Sequence, residues 1–244
     1  MKFRRMTKVW LCGLMAVLMV IGMPVSAMAT QTEERQEQIE ESTPAMATFA
    51  TDDIASGTDG TVDWRIDKKG VLYIGGGEFE KTGIWSRYRY DIKRIVFTAP
   101  VVGPESMNYF FAGIIFVAEI VGLDYLDTSN VTSMAGMFSG MEKLKSVDVS
   151  CLDTSNVTDM SYMFDGVTNL TSLNLSNFDT RNVTNMRSMF WITENLNNVD
   201  FRNATFDSVT SYQNMMYVAT VIVKSQVEKD WLQSKFPSLN VVIG

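Results

Sequence analysis

Asp127-Thr-Ser-Asn-Val-Thr-Ser-Met-Ala-Gly-Met-Phe138 is written three times along this chain. It returns as Asp153-Thr-Ser-Asn-Val-Thr-Asp-Met-Ser-Tyr-Met-Phe164 and as Asp179-Thr-Arg-Asn-Val-Thr-Asn-Met-Arg-Ser-Met-Phe190. Val131, Val157, Val183 and Val209 follow one another at a constant spacing of 26 residues. A fixed period of this size marks a stacked array, whose units bury their apolar faces only against their neighbours.

The second half of each unit carries an L-x-x-L-x-L pattern: Leu170, Leu173, Leu175 and then Phe178, flanked by Leu144, Val147, Val149, Leu152 and by Leu196, Val199, Phe201. Alternation of this kind predicts a strand with its apolar side chains inward. In the first half, Val157, Met160, Met163 and Phe164 fall at i, i+3, i+6 and i+7, which predicts one face of a short helix. Thr158 stands at its cap position, and Gly166 stands where it would stop, as Gly140 does one repeat earlier. Each unit is thus expected to be a short helix, a turn and a short parallel strand. Equivalent methionines and the Phe138, Phe164 and Phe190 rings would then form columns.

The D-T-S-N-V-T-x-M-x-x-M-F signature resembles the BspA-like leucine-rich repeat surface proteins of bacteria, over roughly residues 57 to 244. The expected fold is an α/β repeat solenoid: a leucine-rich repeat array of short helix plus short parallel strand units, with a β-rich N-terminal cap and a C-terminal helical cap. In the resemblance, Trp64, Ile66, Gly70, Leu72, Ile74 and Trp85 look like the cap that precedes the array. It implies adhesion at the cell surface or outside the cell, with host matrix proteins or other cells as partners.

Outward from the repeats, the chain divides into five stretches. Residues 1–29 read as a secretory signal peptide: Lys2, Arg4, Arg5 and Lys8, an apolar run from Trp10 to Met23, then an Ala27-Met28-Ala29 site with cleavage between Ala29 and Thr30. The run is short for a membrane span, so none is expected after cleavage. Residues 30–56, with Glu33, Glu34, Glu37, Glu40 and Glu41, read as a disordered acidic spacer. Residues 57–105 are the β-rich cap, with strands over 61–66 and 71–74 joined by Asp67-Lys-Lys-Gly70 and a further strand near Ile92 and 95–97. The array covers 106–220 and begins with a degenerate repeat, in which Met107, Phe110, Phe111 and Gly113 echo the signature. Residues 221–244 are the C-terminal cap: a strand, then a helix opened by the Ser225-Gln-Val-Glu228 capping box with Val227, Trp231, Leu232 and Phe236 inward, then a closing strand at 241–243. No wall-anchoring motif is present, so an extracellular protein without covalent attachment is expected.

Composition narrows the chemistry. The chain has 21 basic and 28 acidic residues and no histidine. Imidazole metal sites, Ser-His-Asp chemistry and a histidine-activated thiol are therefore excluded. Losing residues 1–29 removes four basic residues and no acidic one, which leaves 17 against 28 and disfavours nucleic acid and anionic membranes. No cofactor and no catalysis are expected. Cys151 is expected to be a half-buried small residue. Asp127, Asp153 and Asp179 recur in step; an Asx turn, each carboxylate accepting a backbone N–H, is the expectation, ahead of a calcium ladder. The Asn-Val-Thr triplets at Asn130, Asn156 and Asn182 fit a glycosylation sequon but follow from the repeat itself.

Two candidate ligand surfaces remain. One is the outward strand face, with Ser146, Asp148, Ser172, Asn174, Asn198, Asp200 and Arg202, a shallow polar surface for protein or glycan. The other is Trp191, which replaces Ser139 and Asp165 of the earlier repeats while Ile192 replaces glycine. That break is expected to pack against the C-terminal cap or to leave an apolar patch for a partner. The alternatives carried forward are a self-associating envelope protein, a shortened relative that has lost its anchor, and a carboxylate-based glycan hydrolase.

Overall fold

A computed structural model describes residues 52–244. The stretch read as a signal peptide, its expected cleavage position and nearly all of the stretch read as acidic spacer lie outside the described residues. The chain is a parallel β-solenoid repeat of about eight turns with little helix.

It opens with an antiparallel unit: β1 (Ala55–Asp59) pairs with β2 (Val62–Ile66), and β2 with β3 (Val71–Ile74). β1 begins inside the stretch read as spacer. From β3 onward every pairing is parallel. β3, β5 (Arg94–Phe97) and β7 (Glu119–Val121) complete the first sheet. β4 (Gly77–Glu78), β6 (Val101–Val102) and β8 (Leu126–Asp127) form a small second ladder. β9 (Ser172–Asn174), β10 (Asn198–Asp200), β11 (Thr220–Val223) and β12 (Asn240–Ile243) form the third sheet. Leu72, Ile95 and Ile120 share one inward column in the first sheet. Leu173, Val199, Val221 and Val241 share another in the third. A single apolar core runs the length of the stack.

The expected strand at 147–149 is absent, so the two main sheets do not join. The lapse coincides with a change of period. Phe111 and Phe138 are 27 residues apart, against 26 for Phe138 and Phe164. The additional residue falls in the corner between β7 and β8, where Leu123–Tyr125 make a 3-10 turn.

The expected helix in each repeat is a second correction. Residues 160–167 form a string of turns. Met163 N–H donates to Met160 O (3.3 Å), Asp165 N–H to Tyr162 O (3.0 Å) and Val167 N–H to Phe164 O (3.3 Å). Tyr162 (φ 58°) and Gly166 (φ 70°) take left-handed conformations at the third positions of two of these turns, as type II turns require. A helix cannot continue through such residues. The alternate N–H groups point along the stack: Met160, Tyr162, Phe164 and Gly166 donate to Asn185, Arg187, Met189 and Trp191 carbonyls at 2.8 to 3.0 Å. The turn side is thus a parallel ladder too. Thr158 caps no helix; its Oγ1 donates to Thr132 O (3.2 Å). Gly166 sits inside the turn string rather than ending a helix.

The Phe column is present. Phe111, Phe138, Phe164 and Phe190 are fully buried, with successive centroids 6.0, 5.4 and 5.9 Å apart and the last three rings nearly parallel. At the N-terminal end Phe79, Trp85, Phe110 and Phe111 close the core edge-to-face and stacked. At the C-terminal end, α1 (Gln226–Lys235) is the one α-helix among the described residues. Ser225 caps it by accepting from Val227 N–H, and its hydroxyl donates to the Glu228 carboxylate, so the N-cap stands where expected but with a side-chain pair in place of the reciprocal backbone bonds of a capping box. Leu232 is buried and Trp231 stacks on Phe206. Val227, expected inward, is 65% exposed.

Candidate functional site

The repeat signature spends its polar residues on the scaffold. Asp127, Asp153 and Asp179 accept the N–H of Ser129, Ser155 and Arg181 at 2.9 to 3.2 Å, the expected Asx turns. Thr128, Thr154 and Thr180 donate to the carbonyls of Asp153, Asp179 and Thr205 on the next turn. Thr154 and Thr180 also accept the N–H of Asp179 and Thr205. Asn156 and Asn182 reach back to the carbonyls of Ser129 and Ser155 at 2.8 and 2.7 Å. Thr158, Thr184 and Thr210 form a further column on carbonyls. These bonds satisfy carbonyl groups between turns, which buried backbone requires. The same bonds tie up the amides of the sequons at Asn156 and Asn182.

The outward strand face is built from two columns fixed by sheet register: Ser172, Asn198, Thr220 and Asn240, and beside it Asn174, Asp200, Ile222 and Val242. The first column is polar throughout, and the second turns apolar at Ile222 and Val242. Ser146 and Asp148 are exposed but lie where the strand has lapsed, so they do not extend this sheet. Asp148, Asn174 and Asp200 are again Asx acceptors, for the N–H of Ser150, Ser176 and Arg202 at 3.0 Å. Arg202 also grips the Asp200 carboxylate through Nε and Nη2 at 2.7 to 3.0 Å. The predicted face therefore holds together as Ser172, Asn174, Asn198 and Asp200, its one cation paired to its one carboxylate.

The second candidate breaks the scaffold. Gly113, Gly140 and Gly166 occupy one position of successive turns, with φ 69 to 71°. Ile192 occupies it on the next turn with φ 54° and is 50% exposed. A β-branched residue in this region is an outlier and costs about 1–2 kcal/mol. The residues before Gly140, Gly166 and Ile192 form a parallel column, Ser139, Asp165 and Trp191, which Tyr217 continues, each 26 residues from the last. Trp191 packs against Tyr217, centroids 5.2 Å apart and planes tilted by 53°, and Tyr217 is 52% exposed. The C-terminal helix turns its own Trp231 to Phe206 and Tyr212 instead. Burial raises the Asp165 carboxyl above its ordinary value, against a hydrogen bond with Ser139 that lowers it, and its Oδ1 is buried with no partner. The sequence flagged Trp191 and the lost glycine. The 26-residue spacing that carries the column on to Tyr217 was the signal for it, and the ring contact with Trp191 gives that spacing its meaning.

Among the described residues, no group of three acidic, cysteine or histidine side chains is arranged to hold a metal, and no helix is long and apolar enough to cross a membrane. One wide-open depression of about 510 Å³ is lined by Glu80, Lys81, Thr82, Pro104, Glu105 and Ser106 and carries both signs of charge.

These features define a parallel β-solenoid repeat protein whose turn-to-turn bonds come from the signature residues. The chain belongs to the family described as "Mycoplasma protein of unknown function, DUF285", which matches residues 105–231. No curated protein matches it. Among solved structures, it is similar to a leucine-rich repeat protein from Eubacterium ventriosum, at 17% sequence identity and a TM-score of 0.42, over 70% of this chain and 45% of that one. The chain thus spans less than half the length of that protein.

Proposed function

We propose that this protein is a secreted or cell-surface binding module without catalytic activity, which attaches to protein or glycan on host matrix or cell surfaces. The observation that carries the reading is the break at Trp191 and Ile192. Three turns place glycine at this position, and the fourth replaces it with a strained, half-exposed isoleucine beside a Trp–Tyr pair. A scaffold gains nothing from this, and local strain kept at a surface is a mark of functional sites. The signal-like residues 1–29 and the resemblance to BspA-like surface proteins support an extracellular place. The polar strand face from Ser172 to Asp200 is a second contact area on the same solenoid.

The test is equilibrium binding of the purified protein to immobilised matrix proteins and to whole bacterial and epithelial cells at physiological salt. Saturable binding that weakens in Trp191→Ala supports the reading. Absence of binding to every surface, with concentration-dependent oligomers in solution, would replace it with the self-associating alternative.

A further inference from the structure

The Trp191 and Tyr217 rings make a corner rather than a slot, with exposed Ile192 next to Trp191 in the chain. The two rings meet at 53° with centroids 5.2 Å apart. A flat base or ring would need parallel faces to lie between. A puckered sugar ring does not: its axial C–H bonds, slightly positive, pack against the negative face of one ring while its edge meets the other. Beside the corner the glycine column, Gly113, Gly140 and Gly166, presents backbone without side chains, and Ile192 is the first side chain to rise from it. The floor needs no partners of its own, because Gly113, Gly140 and Gly166 donate their N–H groups to Ser139, Asp165 and Trp191 on the following turns at 2.7 to 2.8 Å.

Charge and size narrow the occupant. The column Ser139, Asp165, Trp191, Tyr217 holds one carboxylate and no cation, and the whole chain is net negative at −7. Anionic glycans, nucleic acid and acidic peptides are repelled by such a site. Three side chains are also far short of the roughly 1,000 Å² that a stable protein interface needs. They match the footprint of one or two sugar rings.

We propose that the Trp191–Ile192–Tyr217 corner binds a neutral hexose or N-acetylhexosamine unit of a glycan, stacked on the rings and walled by Ile192. This rests on the binding-module reading above and names its partner class.

The experiment is isothermal titration of the intact protein with cellohexaose, mannohexaose and chitohexaose, and with a heparin hexasaccharide as the anionic counterpart. Trp191→Ala, Ile192→Gly and Tyr217→Ala are titrated alongside. Expected is saturable binding of at least one neutral oligosaccharide, none of heparin, and a loss of affinity on the order of tenfold or more in Trp191→Ala and Ile192→Gly. Ile192→Gly is the decisive variant, because it restores the glycine that three other turns carry and so leaves the fold intact. Neutral binding unchanged in both variants, preference for heparin, or no binding of any neutral sugar would each overturn the assignment. Cell or matrix binding that persists without sugar binding would leave the module reading standing and remove only its glycan partner. Failure of both assays would remove both.

Discussion

Two neighbouring turns of one solenoid do opposite things with the same positions. On the turn from Asp153 to Phe178, the signature residues are bound into the scaffold: Asp153 holds Ser155, Thr154 bridges to Asp179, Asn156 reaches Ser129, and Gly166 relaxes into its left-handed turn. On the turn that begins at Asp179 the ladder is kept, yet Gly gives way to Ile192 and Asp to Trp191. The first turn shows what stacking requires. The second shows what stacking tolerates, and that surplus is where the proposed binding site sits. The contrast is energetic and can be broken at either side.

The largest effect lies in what both turns share. Phe164 stacks between Phe138 and Phe190, fully buried. Phe164→Ala opens a cavity in the middle of the column and is expected to cost about 3–5 kcal/mol. Chemical denaturation reads this as a lower midpoint. A cost under about 1 kcal/mol would mean that neighbouring turns slide together and the column is not a rigid core.

Next comes the polar ladder. Thr154 is buried, donates to Asp179 O at 3.1 Å and accepts Asp179 N–H at 2.8 Å. Thr154→Val keeps the shape and strands both groups, for about 1–3 kcal/mol. An equal loss in Asn156→Ala, whose amide is exposed, would show that burial is not what makes the ladder matter.

Much of this ladder was legible in the sequence. The period of 26, the inward strand columns, the Asx turns of Asp127, Asp153 and Asp179, and the helix N-cap at Ser225 all follow from local chemistry. The turn string did not. A run of i to i+3 turns brings Val157, Met160, Met163 and Phe164 to one face, as a short helix would. The distinguishing feature is the left-handed residue at every fourth position, which was visible only where glycine fills it. Tyr109, Tyr162, Ser188 and Asn214 fill the other such column with ordinary residues, the first three held there by inter-turn bonds that no single repeat can show. The lapse at 147–149 was hidden for the same reason, since its residues fit the strand pattern and the displacement arises one corner earlier. Of the candidate site, Trp191 and Ile192 stood out as broken repeats, while Tyr217, one period further on, lay in the spacing but gained its meaning from the ring contact with Trp191.

An exchange between the two turns sharpens the comparison further. Gly166→Ile puts a β-branched residue at φ 70° and is expected to cost about 1–2 kcal/mol. Ile192→Gly releases strain of that size but forfeits half-buried contact and gains about 0.5–1 kcal/mol of unfolded-chain entropy cost, so stability stays within about 1 kcal/mol of the parent. Thermal midpoints of the two variants test this asymmetry. A marked loss in Ile192→Gly would make Ile192 a packing residue and end its role as surplus.

The smallest effect concerns Asp165, which stands between the two regimes, hydrogen-bonded to Ser139 on one side and one turn from Trp191 on the other. Burial raises its carboxyl above the ordinary 3.8, because the charged form is poorly solvated with Oδ1 unpartnered. A carboxyl whose folded value is raised favours the fold while protonated. Its contribution is full below the unfolded value and is lost as pH rises through the folded one. Asp165→Asn keeps the shape without the charge, so it is expected to raise the thermal midpoint near neutral pH. The gain should shrink as pH falls through the raised folded value and be gone well below 3.8, where the parent carboxyl is neutral in both states. Trp191→Ala offers the complementary measurement. If the indole is what shields Asp165 from water, the benefit of Asp165→Asn at neutral pH should diminish in the Trp191→Ala background. A benefit unchanged in that background would place the shielding in the backbone of the turn and uncouple the carboxylate from the break beside it.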